Sequence, residues 1–252
     1  NLSAVRDDGS TATTDIQGGN ITARAVDPAS AVNVTAEAGA VVLGNVSATT
    51  GGVMLASLGG RLNLGTVRAS ADILLGSQDA LSTGALTSTA GSIGLDSDAG
   101  SVAVVSATAK KDLDAESGTA LSINAFTVQG LASIRSGSDL TVPKGSATGG
   151  ISLYAGANAW LGSLVTAAGS IGVESRSGGI SFTALKAGTG IGLTAGSAFG
   201  SGTFPTYSLT GGTVDAGAGG VSAMAKNGDL RLTRLIARDA SSVNTRAGNL
   251  NT

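Results

Sequence analysis

The sequence has no cysteine and no histidine. Disulfides and thiolate metal sites are therefore excluded, as are Ser-His-Asp and Cys-His catalytic sites and histidine-ligated zinc within the chain. Charged residues are scarce, at 13%, and the net charge is −2. Such a chain has neither the basic surface that nucleic-acid binding needs nor a polybasic segment for acidic lipid. We expect no cofactor and no nucleic-acid partner.

Long apolar runs and terminal signals are lacking as well. No apolar run approaches a length of about 20 residues, which a membrane-spanning helix needs, and no signal peptide opens the chain. Neither end carries a recognisable cap of the kind that closes repeat proteins. We therefore expect a soluble chain without a transmembrane segment, a single continuous domain over residues 1–252 that is a segment of a longer rod.

Glycine, in contrast, is abundant, with 40 residues against three prolines. A chain so rich in glycine and other small residues could be disordered, but disordered segments lack regular apolar positions and often carry high net charge. Here 42% of the residues are hydrophobic, and valine, isoleucine and leucine recur at regular intervals. The composition therefore favours an ordered repeat protein.

Residues 169–187 show the unit that fills nearly the whole chain. Its shorter half reads Ile-Gly-Val and its longer half Ile-Ser-Phe-Thr-Ala-Leu-Lys-Ala, with glycines at the joins. Single apolar residues separated by single small or polar ones indicate strands with one buried face. The two-residue gap before the leucine breaks this period, which predicts a corner. Each unit is therefore predicted to form three short strands and their turns.

Two series of apolar residues carry this unit along the chain. In the longer half the steps are 19 to 21 residues, apart from one step of 29. The longer halves begin at Ile21, Val41, Leu62, Leu81, Val102, Leu121, Leu140, Ala159, Ile180, Leu209 and Leu230. The shorter halves begin at Val32, Val53, Ile73, Ile93, Leu113, Ala132, Ile151, Ile171, Ile191, Val221 and Val243. The two series keep a nearly constant offset from each other along the chain, which is hard to obtain by chance.

The repeat predicts an all-β fold, a right-handed parallel β-helix (solenoid) of about 11–12 rungs, each rung being one unit of about 20 residues. Stacking rungs about 4.8 Å apart brings equivalent side chains into columns and lets backbone groups pair between rungs. A left-handed helix is the alternative, but it favours about 18 residues per rung in a hexapeptide rhythm. The crossover rule also favours the right-handed form.

The step of 29 residues places an insertion loop at 198–207. It contains three of the seven aromatic residues of the chain, Phe199, Phe204 and Tyr207. Insertions between repeats form exposed loops, often on a binding face. This loop is a candidate contact site, and a loop that folds onto its own aromatic side chains is the alternative.

Two further aromatic residues are candidate surface contacts. Trp160 is adjacent to an apolar series position and Tyr154 follows one, so both are predicted to point outward. Exposed aromatic rings can stack on sugars or proteins. A packed corner is the more common fate of a lone aromatic residue.

Three carboxylates, Asp112, Asp114 and Glu116, alternate with Leu113 and Ala115. All three should therefore project from one outer face. Clustered acids occur in sugar-cleaving enzymes and in calcium sites. A working site would need acids from adjacent rungs and a positive partner, and Lys110 and Lys111 are close enough in sequence to pair with this trio. A solvated strand face is therefore favoured. The matching positions one rung earlier hold Ser92, Gly94 and Asp96.

Three sites have the spelling of glycosylation sequons, beginning at Asn20, Asn33 and Asn45. Short motifs of this kind occur often by chance. We interpret these asparagines as ordinary polar residues of strands.

The repeats Gly60-Arg-Leu-Asn-Leu-Gly-Thr-Val-Arg-Ala69 and Gly228-Asp-Leu-Arg-Leu-Thr-Arg-Leu-Ile-Ala237 resemble the repeat region of filamentous haemagglutinin-like exoproteins, the large adhesins of two-partner secretion systems in Gram-negative bacteria. The resemblance covers about residues 20 to 250 in pattern and composition. It implies a right-handed β-helical shaft, an extracellular or outer cell-surface location, and a role in adhesion or aggregation. The Asn-Pro-Asn-type motif of the family's secretion domain is absent from this sequence.

The expected function is therefore a structural and adhesive shaft without catalysis. Its partner would be a host or bacterial cell-surface receptor or a polysaccharide, and its ends could pair with further copies. One alternative is a carbohydrate-active enzyme, a polysaccharide lyase or hydrolase on the same scaffold. Another is a self-assembling extracellular filament subunit.

Overall fold

The computed structural model describes residues 2–4, 15–23, 32–196, 208–245 and 249–251. The described residues form strands and turns and contain no helix, so none of them belongs to a helix that could span a membrane. The chain divides into two compact units, Asn1–Ile123 (unit 1) and Asn124–Thr252 (unit 2). Each unit is built from short strands separated by tight turns.

The described strands of unit 1 are β1 (Leu2–Ala4), β2 (Ile16–Gly18), β3 (Ile21–Ala23), β4 (Val32–Ala36), β5 (Val41–Leu43), β6 (Val46–Ala48), β7 (Val53–Ser57), β8 (Leu62–Leu64), β9 (Val67–Ala69), β10 (Ile73–Ser77), β11 (Leu81–Ser88), β12 (Ile93–Ser97), β13 (Val102–Ala109), β14 (Leu113–Ser117) and β15 (Leu121–Ile123).

The described strands of unit 2 are β16 (Ala125–Val128), β17 (Ala132–Ser136), β18 (Leu140–Ala147), β19 (Ile151–Ala155), β20 (Ala159–Thr166), β21 (Ile171–Ser175), β22 (Ile180–Ala187), β23 (Ile191–Ala195), β24 (Leu209–Ala216), β25 (Val221–Ala225), β26 (Leu230–Ala237), β27 (Ser242–Thr245) and β28 (Leu250–Asn251).

Each unit contains two sheets in which strands pair with strands one rung away. The narrow sheet consists mainly of five-residue strands, in the order β1-β4-β7-β10-β12-β14 in unit 1 and β17-β19-β21-β23-β25-β27 in unit 2. The wide sheet contains the longer halves, in the order β2-β5-β8-β11-β13-β15 in unit 1 and β18-β20-β22-β24-β26-β28 in unit 2. β3, β6 and β9 continue the wide sheet of unit 1 beside its main path, and β16 pairs with β18 in unit 2.

The register confirms the predicted parallel β-solenoid. In unit 1 Ile73 pairs with Val53 on one side and with Ile93 on the other, in parallel strands. In unit 2 Ile180 pairs with Leu209, so the long step leaves the register of the sheet intact. Within each unit, equivalent positions of successive rungs therefore stack, as the two apolar series predict. The right-handed sense of the coil stays a prediction.

The register of the first rungs differs from the predicted one. Ile21 pairs with Val46, not with Val41, and the partner of Val41 is Ile16. Strand β2 has Gly18 at its second inward position, where the next two rungs have Leu43 and Leu64. The loss of that side chain removes the alternation that marks a strand in the sequence. The apolar series therefore predicts Ile21 as the start of the longer half, whereas Ile21 lies in β3, the second segment of that half.

The last position of the shorter series is also wrong. Val243 lies opposite Ala223 rather than Val221. The position that stacks in the Val221 column is the polar residue two places earlier, Ser241, whose hydroxyl accepts a hydrogen bond from the Val221 N–H at 3.2 Å. Because Ser241 is polar, the apolar series does not identify it as the first position of the last shorter half.

The predicted third strand of each rung is present in only some rungs. In unit 1 the longer half is split into β5 and β6, and again into β8 and β9, but it is continuous in β11. In the split rungs the N–H of Gly44 or Gly65 lies within hydrogen-bond distance of two carbonyls of the preceding rung. In β22 the strand is continuous where a corner is predicted. The alternation of inward and outward side chains shifts there by one residue, because Thr183 and Ala184 both face outward.

The core between the sheets is thin and aliphatic, made mainly of valine, isoleucine, leucine and alanine. Two phenylalanines of unit 2 interrupt it: Phe126 is 2% exposed and Phe182 is 6% exposed. Each lies opposite a glycine in the next rung, Gly145 and Gly211 respectively. A side chain on either glycine would collide with the ring below it, so the missing side chain provides the space for the ring.

Serines form a buried column where the five-residue strands of unit 1 end. Their register partners are one another, and all are buried: Ser57, Ser77, Ser97 and Ser117. The hydroxyl of Ser57 donates to the Gly39 carbonyl at 2.6 Å, and that of Ser77 donates to the Asp79 carbonyl at 2.8 Å. These bonds give the buried hydroxyls backbone acceptors in the turns.

Candidate functional site

Trp160 projects from the outer face of the wide sheet of unit 2. It lies in β20 with a buried residue on each side, and 47% of the residue is exposed. Its neighbours in the sheet are Thr141 on one side and Ser181 on the other. The outward orientation predicted for this residue is confirmed. An exposed indole flanked by hydroxyls suits stacking on a sugar ring or a flat peptide surface.

Tyr154 projects from the narrow sheet of unit 2, also outward as predicted. It lies between Arg135 and Glu174 in the sheet, and the Arg135 guanidinium carbon is 5.4 Å from the centre of the tyrosine ring. A cation at this distance over an aromatic face is attracted by the ring electrons. The ring therefore has an intramolecular partner. Because Trp160 belongs to the other sheet, the structure does not combine the two aromatic residues into one site.

The candidate contact loop 198–207 lies within the undescribed range 197–207. The roles of Phe199, Phe204 and Tyr207 therefore stay predictions.

Asp114 and Glu116 share the exposed face of β14, as predicted, and Asp112 is the residue before this strand. Asp112, Asp114 and Glu116 are all exposed, with buried residues between them. One rung earlier, Asp114 has Gly94 as its partner and Glu116 has Asp96. The structure thus brings together carboxylates from two adjacent rungs on the narrow sheet of unit 1.

The carboxyl of Asp96 is affected by its surroundings. Partial burial raises its pKa, and the negative charges of Asp98, Glu116 and Asp114 raise it further. Within the described parts of the chain these four carboxylates form no ion pair; the one ion pair found there joins Arg231 to Asp229. The predicted pairing with the two preceding lysines is therefore not seen for Asp114 and Glu116.

Metal binding by these acids finds no support in their arrangement. Among the residues that the structure describes, no group of three or more acidic side chains is placed to hold a metal ion. The outward acids of a strand stand two residues apart along it, and the extended backbone keeps their carboxylates separated. The face carries concentrated negative charge without a compact coordination site.

An open groove lies beside these acids, and no sequence pattern predicts it. Its volume is about 420 Å³, and Met54, Leu74, Gly76 and Gly94 line it together with the carboxylates. Met54 is 41% exposed and Leu74 is 44% exposed. In the sequence these residues occupy the spacer positions of the repeat. Their exposure becomes evident only when adjacent rungs are stacked.

The sequon asparagines at the corners of unit 1 hold successive rungs together. The side-chain oxygen of Asn20 accepts a hydrogen bond from the N–H of Asn45 at 2.8 Å, and that of Asn45 accepts one from the N–H of Thr66 at 2.8 Å. The third, Asn33, lies outward in β4 and is only half-buried. Asn20 and Asn45 lie in turns between strands. The interpretation of these asparagines as polar residues of strands is therefore wrong for those two and confirmed only for Asn33.

Acidic side chains at other corners also connect successive rungs by hydrogen bonds. The side-chain oxygen of Asp72 accepts from the N–H of Ser92 at 2.7 Å, and that of Asp139 accepts from the N–H of Asn158 at 3.0 Å. Asn158 in turn accepts from the N–H of Gly179 at 3.0 Å. These side chains cap strand ends from one rung to the next.

The outer faces thus present contact surfaces: an indole beside hydroxyls in unit 2, and an apolar groove beside four carboxylates in unit 1.

A scan against protein-family models found no match, and searches of curated proteins and of solved structures found no significant match either.

Proposed function

We propose that the chain is a structural and adhesive part of an extracellular bacterial surface protein, a section of shaft that presents contact surfaces and catalyses no reaction. The observation that carries this proposal is the use of polar side chains between rungs. Serines fill the interior ends of the narrow strands, and asparagines and aspartates cap the corners. These serines, asparagines and aspartates are thus engaged in holding the stack.

The hydrogen bonding between rungs suits a structural part that must resist mechanical force. Backbone groups pair between successive rungs, for example the N–H of Ile73 with the carbonyl of Ser92 at 3.0 Å. Separating two rungs requires many such bonds to break together, along with the side-chain bonds at the corners. The number of rungs sets the length of the part without any cofactor.

The exposed faces suit noncovalent attachment. Trp160 offers a large, rigid surface with little conformational entropy to lose, which is the character of residues that dominate binding. The flat sheet on either side presents Thr141 and Ser181, whose hydroxyls can bond to a polysaccharide or a protein. The resemblance to secreted adhesins points to the same role and to the bacterial cell surface as its location.

The adhesive proposal is tested by coating beads with the purified chain and counting beads held on bacterial and epithelial cells after washing. We expect more attachment than with albumin-coated beads, and a loss of part of it in Trp160→Ala. Val165→Ala is the matched control, because Val165 is also exposed on β20. Attachment no better than albumin on every surface would contradict the adhesive role.

A second candidate, a polysaccharide-cleaving enzyme, is favoured by one observation: Asp96, with a raised pKa, lies beside Glu116 on the next rung. A carboxyl with a raised pKa next to an ionised one is the arrangement that glycosidases use. Incubation with a panel of plant, bacterial and animal polysaccharides, followed by assay of reducing ends and unsaturated products, tests it. Cleavage by the wild-type chain that is lost in Asp96→Asn would replace the adhesive proposal.

A further inference from the structure

The outer face of the narrow sheet of unit 1 changes from apolar to acidic along each column of stacked residues. The columns follow the register of β7, β10, β12 and β14. The first column is Met54, Leu74, Gly94 and Asp114, and the second is Ala56, Gly76, Asp96 and Glu116. The earlier two rungs are thus apolar and the last is acidic in both columns.

The apolar half forms the groove because small residues leave the backbone uncovered. A side chain at Gly76 would meet no atom within 4 Å, so the floor is open there. At Gly94 an added side chain would lie 2.9 Å from a methyl carbon of Leu74, so this leucine leans over the glycine and forms a wall. Exposed Met54 continues the wall on the neighbouring rung.

The acidic half lacks counter-charges. Asp96, Asp98, Asp114 and Glu116 form no ion pair with any described residue, and they are close enough to raise the pKa of Asp96. Like charges that face each other on neighbouring strands destabilise a sheet. A bound cation would reduce this repulsion, and the adjacent apolar wall would favour a cation that carries apolar groups.

We propose that this groove binds a basic peptide segment of a partner protein in an extended conformation. Apolar side chains of the segment pack against Met54 and Leu74, and lysine or arginine side chains meet Asp96, Asp114 and Glu116. Three rung spacings of about 4.8 Å separate the two ends of the first column, and an extended chain rises about 3.3 Å per residue. The basic residues should therefore follow the apolar ones by about four positions.

An extended segment fits the face better than other cationic partners. The two columns are two residues apart, a distance of about 7 Å, whereas a helix with its side chains is about 10 Å wide. A simple metal ion would make no use of the apolar wall. Because Leu74 and Glu116 lie on one face, this face favours a partner that has both apolar and basic side chains.

This inference goes beyond the adhesive proposal. It concerns unit 1, whereas the attachment test uses Trp160 in unit 2, and it is measured on the purified chain without cells. A chain that binds the peptide but holds no cells would contradict the adhesive proposal alone, and the reverse result would contradict the groove alone.

The test is titration of the whole chain into a fluorescent peptide with two leucines followed, about four residues later, by three lysines, with anisotropy as the readout. We expect a dissociation constant below about 1 mM that rises with added salt, because exposed charge pairs are screened. Combined Asp96→Asn and Glu116→Gln should weaken binding about fivefold or more. Leu74→Ser should also weaken it, because the apolar wall is shortened.

Glu174→Gln is the matched control, since Glu174 is an exposed acid at the same position of a narrow strand in unit 2. It should leave the affinity unchanged. Peptides in which serine replaces leucine, or glutamate replaces lysine, should bind more weakly than the parent. Circular dichroism verifies that each variant is folded. Absence of binding, equal binding by the groove variants and the control, or displacement of the peptide by low millimolar calcium would overturn the proposal.

Discussion

Phe182 lies directly opposite Gly211 in the next rung, and its ring occupies the space that a side chain at Gly211 would need. Gly211→Ala therefore forces the ring or the backbone to move. Overpacking of this kind costs about 1–3 kcal/mol. We expect the midpoint of thermal unfolding to fall, as measured by circular dichroism.

Gly172→Ala provides the control, because a side chain at that glycine would meet no atom within 4 Å. It should change the unfolding free energy by less than about 0.5 kcal/mol. Adding Phe182→Leu to Gly211→Ala should recover part of the loss, since leucine leaves more room. A Gly211→Ala variant as stable as the wild type would show that the ring and glycine are not packed as described.

Asn45 connects two rungs of unit 1 through its side-chain oxygen, which accepts the N–H of Thr66. Asn45→Ala should lower the free energy of unfolding by about 1 kcal/mol, the value of a typical hydrogen bond. Asn33→Ala is matched to it as a second sequon asparagine that faces outward, and it should have little effect. Equal losses in the two variants, measured by urea unfolding, would contradict the role of Asn45 as a corner cap.

Ser57 is fully buried and donates to the Gly39 carbonyl at 2.6 Å. Ser57→Ala leaves this carbonyl without that donor in the interior, at a cost of about 1–2 kcal/mol. Ser82→Ala, on an exposed position of β11, should cost far less. Hydrogen exchange offers a second readout: amides of the turn at residues 37–40 should lose protection in Ser57→Ala alone.

The carboxyls of Asp96 and Asp229 should affect stability with opposite signs. Burial and neighbouring acids raise the pKa of Asp96 above 3.8, so its favourable contribution is present below that pH and is lost as the pH rises through the higher, folded-state value. Asp96→Asn should therefore raise the unfolding midpoint at pH 7, and the gain should disappear near about pH 3.

The pKa of Asp229 is lowered from 3.8, mainly by the hydrogen bond from the Asn249 N–H and then by Arg231. Its stabilising contribution is present above pH 3.8 and is lost as the pH falls through the lower, folded-state value. Asp229→Asn should lower the unfolding midpoint at pH 7. A shift of the same sign in both variants would contradict the assigned environments.

The alternation of apolar and small residues was sufficient to predict the fold, because only stacked rungs can bury so many short apolar stripes. It failed where the alternation itself is missing. Gly18 removes an inward side chain from β2, and Ser241 occupies an apolar position. The sequence also did not reveal the buried serine column, since Ser57 and its equivalents have the same identity as many exposed serines.

The surfaces were harder to predict than the core. The outward direction of Trp160, Tyr154 and the acids of β14 follows from strand alternation, and it is confirmed. The groove of Met54 and Leu74 depends on which residues of different rungs become neighbours. That information lies in the register, which a single repeat does not contain.

The stacking of rungs across the long step of unit 2 is tested most directly by disulfide formation between register partners. The sequence has no cysteine, so an introduced pair supplies the only thiols. Ser181 and Thr210 are partners in adjacent strands, and a spacing of about 4.8 Å between their Cα atoms is within disulfide range. Arg231, the next residue in the same column, is two rungs from Ser181.

We predict that Ser181→Cys with Thr210→Cys closes a disulfide on mild oxidation, seen as loss of free thiol and a faster band on a non-reducing gel. Ser181→Cys with Arg231→Cys should not, because a separation of about 10 Å exceeds the limit of about 7 Å. Disulfide formation in the second pair, or none in the first, would contradict the stacked register on which the whole account depends.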